Sequence, residues 1–167
     1  MARKFIPNNF NVDDVDAVKE VYTKLLNEDI PNDKDALRDW ILRNDEIDSI
    51  LSTVCDKRYV AMTCNTKDEK AAKEFEHLTN EVFPAITEIG HDIEKKLIAH
   101  PALDQLRDEF GEYFKGIETS IRIFSKDNIP LNVELSNEVQ AYQKITGGMK
   151  VEFEGKTMTL PQMYNLL

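Results

Sequence analysis

An all-α fold is predicted, an antiparallel helical bundle closed by a small C-terminal β-hairpin and a truncated last helix. Two observations carry this. Apolar residues recur every three or four positions from residue 13 to about 147, the period of a one-sided helix. After Gly147-Gly148 the period drops to two, as in a strand.

The elements follow in order. Val15, Val18, Tyr22, Leu25 and Leu26 define a first helix, ended by Pro31-Asn32. Asp33 or Asp35 can cap a short helix carrying Leu37, Trp40 and Ile41. Asn44 can cap the next, with Ile47, Ile50, Leu51, Val54 and Val60 as its apolar set. Thr66-Lys67-Asp68-Glu69 reads as a capping box that opens a long helix towards Ile98. Pro84 falls inside that run and should kink or split it, because it lacks a backbone donor.

Pro101 interrupts the pattern, and Leu103 and Leu106 form a short link. Phe110, Tyr113, Phe114, Ile117, Ile121 and Phe124 mark another helix, and Asn128-Ile129-Pro130 the next break. Leu131 to Ile145 gives a further helix with Val133, Leu135, Val139, Tyr142 and Ile145 as apolar positions; Gly147-Gly148 is its stop. Met149, Val151 and Phe153 alternate with Lys150 and Glu152, and Met158 and Leu160 with Thr157 and Thr159. A loop at Glu154-Gly155 pairs Phe153 with Lys156, Val151 with Met158 and Met149 with Leu160, so the large apolar residues share one face. A lone hairpin is marginal in water, so that face should cover something. Thr159-Leu160-Pro161-Gln162 is a second capping box. Met163, Leu166 and Leu167 then begin a stripe that stops after about two turns, too short to be stable alone. A helix cut within a longer protein is expected; a short terminal helix packed on the bundle is the alternative.

Composition bounds the function. The 167 residues suit one domain, or one and part of a second, and can bury about 70% of their unfolded surface. The formal charge is −10, with −6 over residues 1–56 and −4 over 57–167, and no segment is strongly basic. Nucleic acid and anionic membranes are therefore not expected partners. The start MARKFIPNNF lacks the apolar core of a secretory signal, and no apolar run approaches the ~20 residues of a membrane span, so a cytoplasmic location is expected. Cys55 and Cys64, if on one helix, lie on opposite faces about 13.5 Å apart along the axis, which excludes a bond between them. They read as core or partly buried thiols.

Chemistry is sparse. Glu74-Phe75-Glu76-His77 and Glu88-Ile89-Gly90-His91 both have the Glu-x-x-His spacing of di-iron bundles. They lie on one helical run about 21 Å apart, so two solvated histidines beside glutamates is the plainer reading. A metal-carrying bundle built on Glu74, His77, Glu88 and His91 is the weaker alternative. HExxH, CxxC and GxSxG are absent. The carboxylate pairs Asp13-Asp14, Asp45-Glu46, Asp68-Glu69 and Asp108-Glu109 mostly suit helix starts. Trp40, Phe110, Tyr113, Phe114 and Phe124 read as core, with a peptide groove as the alternative. Catalytic, cofactor-binding and metal-binding residues are each assigned as none.

The segment from Ile121 to Gln162 carries more than spacing. Phe124 is followed by Asn128-Ile129-Pro130-Leu131, then Tyr142-Gln143-Lys144-Ile145, then Gly147 with Met149. Val151, Phe153, Gly155 and Thr159-Leu160-Pro161-Gln162 complete the set. Together these resemble the N-terminal region of the zinc-dependent oligoendopeptidase F family, relatives of thimet oligopeptidase. The stretch Tyr59 to Thr66 is similar to the family's early helical region. The likeness is close at the back of the chain and looser at the front, and Gly148 stands where the family more often has alanine.

The resemblance implies an all-α clamshell around a deep channel. It implies zinc held in the full-length parent by an HExxH helix and a later glutamate, with that helix's glutamate activating water. Those positions have no counterpart here. The resemblance therefore implies a wall or lid of the channel over residues 1–148, inactive alone. Residues 149–167 would lead into an absent C-terminal catalytic domain that acts on short peptides. A free-standing acidic helical interaction module is the alternative.

Overall fold

The computed structural model describes residues 3–164 and Leu166. Leu167, placed by the sequence on the terminal stripe, lies outside the described residues.

Helix α1 spans Val15–Asn27 and buries Val18, Tyr22 and Leu25. Asp14 caps it, accepting the Ala17 N–H at 3.0 Å. Helix α2 runs unbroken over Lys34–Cys64, capped by Asp33. This corrects the expectation of two helices divided at Asn44. Asn44 is buried mid-helix, and its side-chain amide donates to Asp48 one turn on at 2.8 Å. That bond keeps its polar group from competing with the helix backbone, and no Gly or Pro nearby offers a break.

Helix α3 covers Glu69–His77, with Asp68 as its cap. The expected Thr66 cap loses to this carboxylate, which accepts both the Lys70 and Ala71 N–H groups (3.1 and 3.0 Å). One wide turn, Leu78–Val82, joins α3 to helix α4, Phe83–Ile98. The Phe83 N–H reaches back to the Leu78 carbonyl. Pro84 has no N–H for the carbonyl four residues behind it, so the run splits where the sequence placed the break.

A tight turn at Leu103–Leu106 leads into helix α5, Arg107–Ile123. Helix α6, Asn128–Gly148, begins at Asn128 rather than after Pro130, and Pro130 is accommodated in its first turn. Strands β1 (Lys150–Phe153) and β2 (Lys156–Thr159) pair antiparallel with Val151 opposite Met158 and Phe153 opposite Lys156, the expected register. Glu154 and Gly155 have φ of 50° and 76°, the two positive values of the tight hairpin turn. A short helix α7, Leu160–Tyr164, follows. The Gln162 side chain accepts the Thr159 N–H at 2.9 Å, one half of the expected capping box.

The core lies among α1 to α5. Trp40, Leu37, Ile47, Val18, Leu78, Val82, Leu106 and Phe114 are fully enclosed. The Trp40 ring nitrogen donates to the Leu25 carbonyl at 3.0 Å. Lys96 caps the other end of α1, giving its ammonium to the carbonyls of Leu25, Leu26 and Glu28. A cation at a helix C-terminus satisfies the orphan acceptors there.

Helix α6 sits differently. It has no fully buried residue. Its inward side is largely polar: Gln140 donates to the Ala72 carbonyl at 3.3 Å, and Gln143 to the Tyr59 hydroxyl at 2.8 Å. Gly147 makes the close approach possible, since a Cβ there would lie 2.8 Å from a Thr66 methyl. Of the apolar positions the sequence gives this helix, Val133 alone is half-buried; Leu135, Val139, Tyr142 and Ile145 face solvent. The helical period holds, and polar contacts from Gln140 and Gln143, not the apolar stripe, mount this helix.

Candidate functional site

One group of titratable side chains spans α1, α2, α4 and α5. The Tyr22 hydroxyl and the Asn44 amide both donate to Asp48. Asp48 reaches solvent, yet the surrounding helices crowd it. Partial desolvation raises its carboxyl above the usual carboxylate range, against the opposing bonds from Tyr22 and Asn44, and the charges of Asp45 and Glu94 add to the rise. Crowding and the same three carboxylates push the Tyr113 hydroxyl up to about 12. Nearby, Ser120 donates to Glu94 at 2.9 Å. Sequence reading passed over the group because its members lie far apart along the chain and only packing assembles them.

The two Glu-x-x-His motifs are not brought together. His77 on α3 lies 2.9 Å from the Asp13 carbonyl. His91 on α4 is not the solvated histidine expected: its side chain is 10% exposed and stacks on Phe124 with ring centroids 3.8 Å apart. Its Nδ1 and the Asn44 Oδ1 are buried without a hydrogen-bond partner. Among the described residues, no group of three or more His, Cys, Asp and Glu side chains is placed to hold a metal ion.

The remaining candidates resolve structurally. Trp40 and Phe114 are core, Phe110 packs against it, and Tyr113 is partly exposed. Cys55 is half-buried, and burial with the Asp56 charge pushes its thiol up, away from nucleophilic reactivity. Cys64 is exposed, which corrects the expectation of a buried thiol. Asp45-Glu46 lies inside α2, not at a helix start. Glu46 instead accepts the N–H groups of Lys4, Phe5 and Ile6 (2.9, 2.8 and 2.7 Å) and ties the N-terminal segment to α2. Burial opposes its charge, but those three bonds prevail and its carboxyl is held below the usual range.

One exposed surface feature is apolar. Leu131, Leu135, Tyr142 and Ile145 fall within about 80° of one another around α6 and are 57–67% exposed. Beyond the helix, Met149 and Phe153 are also exposed, at 45% and 43%. Among the described residues no helix is long and apolar enough to cross a membrane.

A family model described as "Peptidase M3 N-terminal domain" matches residues 5–124. No curated protein and no solved structure matches the chain. The match covers the front of the chain, where the likeness read from the sequence was looser, and ends at Phe124, the first of the motif residues that carried it most closely.

Proposed function

The chain belongs to the Peptidase M3 N-terminal domain family, and on that premise we propose that it is the N-terminal portion of a zinc-dependent, oligopeptide-hydrolysing metalloendopeptidase of the oligoendopeptidase F type. The family match over residues 5–124 carries this reading. The helical region 1–148 forms a wall or lid that limits a catalytic channel to short, unfolded peptides. Residues 149–167 lead towards the catalytic domain, and the protein works in the cytoplasm.

The residues present do not fit a zinc site. HExxH is absent, His77 is engaged by the Asp13 carbonyl, and His91 is stacked under Phe124. Zinc and the water it activates belong to the catalytic domain, so no hydrolytic step is assigned to this chain. Its contribution is exclusion and positioning by a rigid helical body.

The test has two arms. The coding sequence downstream of Leu167 should encode an HExxH helix in frame; a stop codon at that point would overturn the proposal. The 167-residue chain, incubated with zinc and a quenched fluorescent peptide, should release no product. Cleavage that a chelator abolishes would refute the non-catalytic role.

A further inference from the structure

Helix α6 is mounted with its polar side towards the body and its apolar side outward. Gln140 and Gln143 make the inward hydrogen bonds, while Leu131, Leu135, Val139, Tyr142, Ile145 and Met149 stand 45–67% exposed. A terminal layer of a self-contained bundle has the opposite polarity, because apolar area left in water forgoes about 25 cal/mol per Å². The stripe runs roughly 27 Å along the axis from residue 131 to 149. Such a row of large exposed apolar side chains is the kind of surface that marks an interaction site.

We propose that this face, from Leu131 through Phe153, is the surface on which the peptidase's catalytic portion docks, so that α6 is a shared layer between two bodies. The inference rests on the peptidase reading above. Three observations select this occupant. The family is a domain of a peptidase, so its members function beside a second body. The match ends at Phe124, and the apolar stripe, which begins at Leu131, lies wholly outside the matched unit. A second copy is the competing occupant, and a formal charge of −10 on each chain opposes that pairing.

The experiment is hydroxyl-radical footprinting of the 167-residue chain and of the complete peptidase polypeptide, with sedimentation of both. Leu135, Tyr142 and Ile145 should react at least fivefold more slowly in the complete polypeptide, and the chain alone should sediment as a monomer. A paired variant, Leu135→Glu with Tyr142→Glu, should leave the melting temperature of the chain alone within about 2 °C. It should lower that of the complete polypeptide by about 5 °C or more. Unchanged footprints in a polypeptide that still cleaves peptides would overturn the docking proposal and leave the peptidase reading intact. Protection seen only in a dimer of the short chain would overturn it in favour of self-association. A coding sequence with no catalytic portion would overturn both.

Discussion

The helical body over residues 15–123 and the α6–hairpin segment over 128–159 have similar apolar content but opposite construction. In the body, each apolar stripe meets another: Val18, Trp40, Ile47, Leu78 and Phe114 interlock with no exposure above 2%. In α6 the comparable stripe meets water, and polar side chains make the contact with the body. A stripe at helical spacing thus specifies a buried face, but not which body buries it.

The contrast can be broken by energetics. Trp40→Ala should have the largest effect, about 3–5 kcal/mol of lost stability in urea unfolding. It empties an enclosed site and removes the donor to the Leu25 carbonyl. A loss under about 1 kcal/mol would mean that the body is not the cohesive unit it looks.

Asp48→Asn sharpens the comparison within the body. Because the folded carboxyl titrates above its unfolded value, the folded state holds the extra proton between the two. Stability should therefore decline as pH rises from the ordinary carboxylate range through the raised value. The variant should flatten that decline, and its amide nitrogen would replace one of the two oxygens that accept from Tyr22 and Asn44. Since Asp48 reaches solvent, the change at neutral pH should stay below about 1 kcal/mol. Thermal melts of both proteins across pH 4–8 check it, and parallel curves would refute it.

The smallest effect belongs to α6. Tyr142→Ala should shift the stability of the 167-residue chain by no more than about 0.5 kcal/mol, because its side chain is 67% exposed. A loss approaching that of Trp40→Ala would show that the face is covered within this chain.

Much of the fold was legible because local chemistry decided it. The hairpin register follows from period two and from a turn whose residues take positive φ at Glu154 and Gly155. The split near Pro84 follows from a missing N–H. Local signals failed where two of them competed. Asn44 looked like a cap until packing buried it, and Thr66 looked like one until the Asp68 carboxylate took the N–H groups. The Tyr22–Asn44–Asp48 group was not legible, since its members lie up to 26 residues apart and only helix packing joins them.

By itself, then, the sequence determined the helical periods, the turn chemistry of the hairpin and the likeness to a peptidase's N-terminal region. These depend on dihedral preferences and residue identities that act over a few positions. Tertiary structure alone decided that α2 runs straight through Asn44, that Glu46 holds the N-terminal segment and that α6 turns its apolar side outward. Each of those depends on which surfaces meet, and a helix's period is the same whichever side it turns inward.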